Sequence, residues 1–100
     1  MTDKFILKFL PLAEEELSQT ALWYEEQRKG LGSRFITAVE AVLESVKRTP
    51  MLFTTVHKNV RRARIKRFPY GVFFEIDGNQ VIVSAIYHAR RDLRKLRNRR

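Results

Sequence analysis

Two apolar runs separated by three turn-forming residues constrain the fold of this chain more than any other feature. Tyr70 to Ile76 and Gln80 to Tyr87 are rich in aromatic and β-branched residues, and Asp77-Gly78-Asn79 lies between them. Glycine and asparagine accept the positive φ angles that tight hairpin turns require. The second half of the chain is therefore predicted to contain a β-hairpin, whose apolar face must be covered by other elements.

The N-terminal half predicts one strand followed by two helices. Phe5 to Leu10 is a short apolar run ended by Pro11, which favours a strand. Apolar residues then recur at helical spacing from Ala13 to Tyr24 and again from Phe35 to Val46. Because the breaker Gly30-Leu31-Gly32 between these stretches is so short, the helices are expected to pack as an antiparallel hairpin.

A further strand is predicted to precede the β-hairpin. Val60 to Arg67 alternates so that Arg62, Arg64 and Lys66 lie on one strand face and apolar residues lie on the other. Cations placed in this way form a ridge that can bind an anionic or acidic partner. A second basic string, His88-Ala89-Arg90-Arg91-Asp92, follows the last apolar run and is expected at the edge of a neighbouring strand.

Together these elements predict one α+β domain over residues 1–100, in the order β-α-α-β-β-β. The helical hairpin is expected to pack on a small antiparallel sheet. Residues 51–59 are interpreted as a connection. Residues 91–100 form a basic tail, which is predicted to be mobile without a partner.

Positive charge is concentrated in the second half of the chain. The net charge is +9 in total, but residues 1–50 sum to −1 and residues 51–100 sum to +10. A concentrated positive field steers association with a polyanion or an acidic protein. The alternative is a solvated basic face that only keeps the protein soluble. Because the charge is segregated rather than interspersed, we favour the interpretation that the basic half binds a negatively charged partner.

The chain has no cysteine, which excludes disulfides, thiol nucleophiles and thiolate metal sites. With only two histidines, His57 and His88, and no suitable spacing of acidic residues around them, no metal site and no cofactor are predicted. The N-terminal apolar run is interrupted by Lys8 and is too short for a signal or membrane-spanning segment. A cytoplasmic protein with no membrane partner is expected, since the absence of cysteine suits a reducing compartment.

A metal-free ribonuclease is the enzyme that these residues suit best. Cleavage at a 2′-hydroxyl requires a base, cations that stabilise the developing charge and an acid for the leaving oxygen. Arg62, Arg64, Lys66 and Arg90 can supply the charge, and His88 can transfer protons because the unperturbed histidine pKa lies near neutrality. However, arginine stays protonated and is a poor base. A lone histidine at a strand end is more often a structural hydrogen-bonding group, so both interpretations of His88 stay open.

Several short motifs follow one another at a particular spacing between about Phe5 and Asp92. They are Pro11-Leu12-Ala13 with Leu17, Trp23-Tyr24-Glu25, Gly30-Leu31-Gly32 with Phe35, Pro50, Val60-Arg61-Arg62, Arg67-Phe68-Pro69-Tyr70 and His88-Ala89-Arg90-Arg91-Asp92. Each is weak alone. In this order they resemble the RelE/ParE superfamily of type II toxins, also described as plasmid-stabilisation proteins, and its ParE branch in particular.

The resemblance implies a compact α+β toxin encoded beside an acidic antitoxin, which covers the surface that the cellular target needs. ParE-like members are associated with inhibition of DNA gyrase, whereas RelE-like members cut messenger RNA on the ribosome. The assembly is expected to be a homodimer or a toxin–antitoxin hetero-oligomer. The residues expected to contact antitoxin or target are Arg61, Arg62, Arg64, Lys66, Arg67, His88, Arg90 and Arg91.

Comparison with the two branches favours a gyrase inhibitor that acts by binding. Arg62, Arg64 and Arg90 match positions where the ribonuclease branch carries cationic catalytic groups, so a ribosome-dependent endoribonuclease, with His88 as a further catalytic candidate, is the alternative. Gly71 replaces a further strand arginine of that branch, and Leu96 stands about where its C-terminal catalytic tyrosine would be. A third interpretation is an inactive or generic basic nucleic-acid-binding member, since a fold does not fix a function.

Overall fold

The computed structural model describes residues 5–88 and arranges them as a helical layer packed on one β-sheet. The elements in chain order are β1 (Ile6–Phe9), α1 (Pro11–Gln27), α2 (Leu31–Arg48), β2 (Thr55–His57), β3 (Val60–Arg64), β4 (Tyr70–Asp77) and β5 (Gln80–His88), with a short 3-10 helix at Pro50–Leu52. The predicted α+β class and the predicted order of elements are confirmed, with one further short strand, β2, before the last three.

The sheet has five strands in the order β1-β5-β4-β3-β2. Strands β2 to β5 pair in antiparallel fashion, but β1 pairs in parallel with β5, from Ile6 opposite Gln80 to Phe9 opposite Val83. The sheet is therefore mixed rather than purely antiparallel, because the long connection between β1 and β5 allows a parallel pair. Of the second basic string, only His88 lies within the described residues; it ends β5, which β4 separates from β3.

Strand β2 lies in the segment that the sequence predicts to be a connection. It has only three residues, Thr55–His57, and its register with β3 shifts between the first and the last of them. A strand this short contains no apolar alternation that sequence analysis can detect. The interpretation of residues 51–59 as a plain connection is wrong for this reason.

The main hydrophobic core lies between the helices and one face of the sheet, which we call the helix face. Its large buried side chains are at most 2% exposed and include Phe35, Val39, Val46, Ile65, Val72, Phe74, Val81, Val83 and Ile86. A smaller cluster lies on the opposite face, which we call the far face, and contains Val60, Phe73, Ala85 and Tyr87. The two clusters fix the direction in which each strand residue points.

One β-bulge in β5 changes that direction near the end of the strand. Phe73 is paired with Ala85, but Phe74 is paired with Val83, so Ser84 is an extra residue. The Ser84 hydroxyl donates a hydrogen bond to the Phe73 carbonyl oxygen at 3.3 Å. Because side chains alternate along a strand, one extra residue reverses the faces of all residues that follow.

The two helices differ in how much of their surface they bury. Helix α2 buries an apolar stripe, whereas α1 buries only Ala13 completely and leaves Leu12, Leu22 and Trp23 more than half exposed. Glu16 joins α1 to the sheet, because its Oε1 accepts a hydrogen bond from the Ile86 backbone N–H at 2.9 Å. Neither helix of the described segment is both long enough and apolar enough to cross a membrane.

The turn between the helices depends on Glu25 and two glycines. Glu25 Oε2 accepts a hydrogen bond from the Gly30 N–H at 2.9 Å, and Oε1 accepts one from the Gly32 N–H at 3.0 Å. These N–H groups lie at the start of α2 and have no partner within the helix, so the Glu25 carboxylate caps the N-terminus of α2. A Cβ at Gly32 would lie 2.5 Å from the Ala21 carbonyl oxygen, so only glycine permits this close approach of the helices.

We predict that Gly32→Ala destabilises the protein by about 1–3 kcal/mol, because the added carbon forces two packed backbones apart. Ser33→Ala is the matched control, since Ser33 is exposed one residue further along the same helix and its loss should change stability by less than about 0.5 kcal/mol. Urea unfolding followed by circular dichroism measures both. Equal stability of the two variants would contradict the close approach.

Candidate binding surface

The cations of the β3–β4 connection lie in an exposed turn. Strand β3 ends at Arg64, and the Phe68 N–H donates a hydrogen bond to the Ile65 carbonyl oxygen at 3.2 Å. The prediction that Lys66 belongs to the strand face is therefore wrong: Lys66 and Arg67 are the two central residues of this turn. The alternation ends because the chain reverses there.

Arg67 occupies an unusual backbone conformation for an arginine. Its φ is 74°, at the third position of the turn, where type II turns require a positive φ and favour glycine or asparagine. A non-glycine residue in the left-handed region costs about 1–2 kcal/mol. Residues held in strained conformations are concentrated at binding and catalytic sites, which makes this exposed cation a functional candidate.

Arg62 and Arg64 share the far face of the sheet, as the sequence predicts. Arg62 is paired with Phe73 and Arg64 with Gly71, and Phe73 belongs to the far-face cluster. A Cβ added at Gly71 would lie 3.1 Å from Arg62 Cγ and 3.4 Å from its Cδ. The Arg62 side chain therefore passes over Gly71 towards Arg64, and the glycine provides the space that it uses.

His88 lies on the opposite face of the sheet from these arginines. It is paired with Tyr70, and the two rings are 5.7 Å apart between centroids. Tyr70 packs on the helix face, where its ring lies 6.2 Å from Tyr24 and 5.7 Å from Phe35. The expectation that His88 and the strand arginines act on one group is wrong for this reason, because the bulge at Ser84 turns His88 towards the helices.

An aromatic cluster fills the space between the helices and this end of the sheet. Its members are Tyr24, Phe35, Phe68, Tyr70 and His88, and Phe68 lies 4.9 Å from Tyr24 and 5.1 Å from Phe35 between ring centroids. Burial raises the pKa of Tyr24, and the nearby Tyr70 raises it further. The Tyr24 hydroxyl therefore stays neutral at physiological pH and cannot act as a base.

The aromatic cluster brings cations from the helices close to those of the turn. Arg34 precedes Phe35 and Arg67 precedes Phe68, so contact between the two rings places both cations at one end of the molecule. The turn between the helices lies at the same end. We call this surface the basic end; its exposed cations are Arg28, Lys29, Arg34, Arg64, Lys66 and Arg67.

Arg61 has a structural role within the fold, and its binding role stays a prediction. Its Nη1 donates hydrogen bonds to the Phe53 carbonyl oxygen at 2.7 Å and to the Met51 carbonyl oxygen at 3.2 Å. These bonds hold the segment after the 3-10 helix against β3. Both N–H groups of Nη1 are used in these bonds, so the guanidinium is held against its own chain and only its Nη2 and Nε donors are left for a partner.

The remaining predicted site residues cannot be compared with the fold. Arg90 and Arg91, and with them the basic tail, lie outside the described residues. Within residues 5–88, no three histidine, aspartate or glutamate side chains gather into a group that would hold a metal ion. The sequence does not predict that Arg28, Lys29 and Arg34 join this surface, because no local pattern shows which end of the sheet the helical turn will meet.

Solved structures share this fold and define its class. A chain of the chromosomal ParDE toxin–antitoxin system from P. aeruginosa superposes with a TM-score of 0.65 at 18% identity, over 87% of this chain and 98% of that one. A chain of the RelBE2 toxin–antitoxin complex from Mycobacterium tuberculosis gives a TM-score of 0.63 at 20% identity, over 85% and 98%. The fold is that of the RelE/ParE superfamily, as the motifs predict.

The family follows from the sequence as a whole. A family model described as the ParE toxin of the type II toxin–antitoxin system parDE matches residues 7–93. The chain belongs to this family of type II toxins. No curated protein sequence matches the chain.

We predict that Arg61→Ala lowers the free energy of unfolding by about 1.5–3 kcal/mol, because two carbonyl groups lose a charged donor. The control variant, Arg64→Ala, removes an exposed cation from the same strand and should change the free energy of unfolding by less than about 0.5 kcal/mol. Chemical unfolding of both variants checks this difference. If Arg64→Ala proves the more damaging, the division into structural and exposed arginines is incorrect.

The raised pKa of Tyr24 predicts a loss of stability in alkali. Above the unfolded-state pKa of 10.0, the unfolded chain loses a proton that the folded chain retains. The contribution of Tyr24 to the free energy of unfolding is therefore complete below that pH and is lost as the pH rises through the pKa of Tyr24 in the folded protein. Tyr24→Phe should therefore lose less thermal stability than the parent protein between about pH 9 and 11. Trp23→Phe, which alters the neighbouring ring without removing an ionisable group, should follow the parent protein.

Proposed function

We propose that this toxin inhibits DNA gyrase in the cytoplasm by binding to it through the basic end, and that a cognate antitoxin neutralises it by covering the same surface. The observation that supports binding over RNA cleavage is the separation of His88 from Arg62 and Arg64 by the sheet. Membership of the ParE family supports gyrase as the target.

RNA cleavage makes a demand that the described residues do not meet. A base, an acid and cations must all reach one phosphate and its neighbouring hydroxyl. His88 packs against Tyr70 on the helix face, while Arg62 and Arg64 lie on the far face. A binding surface has no such requirement, because a partner that wraps around the end of the sheet contacts both faces.

The basic end suits a partner that carries carboxylates. Its cations are exposed, so an acidic segment binds them without the large desolvation cost that buried ion pairs incur. Arginine forms paired hydrogen bonds with carboxylates, and the concentrated charge accelerates encounter. The two solved structures described above come from toxin–antitoxin systems, which supports an antitoxin as the physiological partner.

The test is a supercoiling assay with purified gyrase. The toxin is expected to block supercoiling, and Arg64→Gln with Arg67→Gln should raise the toxin concentration required by about 3-fold to 30-fold, at about 0.3–1 kcal/mol for each exposed charge. The control variant is Lys8→Gln with Arg48→Gln, which removes the same charge from exposed positions in β1 and at the C-terminal end of α2. It should inhibit like the parent protein.

Three outcomes would reject this proposal in whole or in part. Normal supercoiling at saturating toxin would exclude gyrase. Cleavage of messenger RNA on stalled ribosomes, abolished by Arg62→Ala or Arg90→Ala, would establish the ribonuclease in its place. Equal weakening by both double variants would show that net charge, rather than the basic end, governs binding.

A further inference from the structure

Helix α1 is strongly acidic in a basic protein. Pro11–Gln27 contains five glutamates and no lysine, arginine or aspartate, which gives the helix a charge of −5. Because the whole chain carries +9, the rest of it carries +14. A cationic segment is therefore repelled by most of the molecule and attracted to this helix.

Only some of these carboxylates have a function within the fold. Glu16 binds the Ile86 N–H, and Glu25 binds the N–H groups of Gly30 and Gly32. Glu15 and Glu26 are exposed instead, and Glu15 Oε2 accepts a hydrogen bond from Gln19 Nε2 at 3.3 Å on the surface of the helix. Their charge is presented to solvent rather than used in packing.

Large apolar side chains accompany these exposed carboxylates. Leu12 is 52% exposed, Leu22 is 60% exposed and Trp23 is 52% exposed. At 3.6 residues per turn they lie with Glu15 and Glu26 on the side of α1 that is turned away from the core. We call this surface the outer face of α1; it consists of Leu12, Glu15, Gln19, Leu22, Trp23 and Glu26.

We propose that the outer face of α1 binds a cationic amphipathic segment of a partner protein. Lysine or arginine side chains of that segment pair with Glu15 and Glu26, and its apolar side chains pack on Leu12 and Trp23. An exposed tryptophan beside a charged rim is the kind of residue that carries much of the energy of protein interfaces. A helix of this length, about 25 Å, offers room for four turns of a partner helix.

This surface is distinct from the basic end and has the opposite charge. A partner that carries both an acidic and a basic segment would engage both surfaces at once, and the second contact would increase affinity through effective concentration. The inference does not depend on gyrase as the target, because it uses only the charge and exposure of α1.

The chain contains a single tryptophan, and Trp23 lies in the outer face. Its fluorescence therefore reports directly on occupation of this surface. The probe is a synthetic 18-residue peptide in which lysine and leucine alternate at helical spacing, added to the full-length protein at low salt. We expect a blue shift of the Trp23 emission, saturable binding and reduced quenching by acrylamide.

Charge reversal on the same helix tests the location. Glu15→Lys with Glu26→Lys should weaken peptide binding at least tenfold, and 0.5 M salt should weaken it similarly. Glu40→Lys with Glu44→Lys makes the same change in net charge at exposed positions of α2 and should bind like the parent protein. A peptide with glutamate in place of lysine should not shift the emission.

Four results would overturn the proposal. Equal weakening by both double variants, or an unchanged Trp23 signal, would show that the outer face is not the binding site. If Trp23 is protected from acrylamide when no peptide is present, and the protection rises with protein concentration, a second copy of this chain occupies the outer face. If that protection does not depend on protein concentration, a segment of the same chain occupies the outer face.

Discussion

Packing of Tyr24 and Phe35 against Phe68 is the contact on which the surface chemistry of this toxin depends. It joins the turn of the helical hairpin to the turn between β3 and β4, two segments that are far apart in sequence. Without it, the cations of the helices and those of the sheet would form two weak patches. Because aromatic contacts of this type are well packed and directional, they fix the relative position of the two turns.

The same arrangement places His88 and the strand arginines Arg62 and Arg64 on opposite faces of the sheet, and Arg61 is bound to carbonyl groups of its own chain. Charge in this protein is organised by region: a basic end, and an acidic helix with exposed apolar side chains. Such separation suits recognition of partners by complementary charge rather than the convergence of groups on one reacting atom.

The sequence predicts the parts of the fold that have a clear period, and it fails where a single residue changes the geometry. The two helices, the hairpin of β4 and β5 and the shared face of Arg62 and Arg64 all follow from spacing. Strand β2 is too short to show alternation, and Lys66 lies where the strand has already turned. The face of His88 was not predictable, because the bulge at Ser84 reverses an alternation that appears regular in the sequence.

The space above Gly71 has a consequence for how such a toxin can evolve. Arg62 already fills that volume, with Cγ only 3.1 Å from the place where a side chain at position 71 would begin. A side chain at position 71 would have to share that space, so any larger residue there requires the Arg62 side chain to shift by a few tenths of an ångström. Substitutions at these two diagonal strand positions are therefore coupled, and the residue that position 71 tolerates depends on the one at position 62.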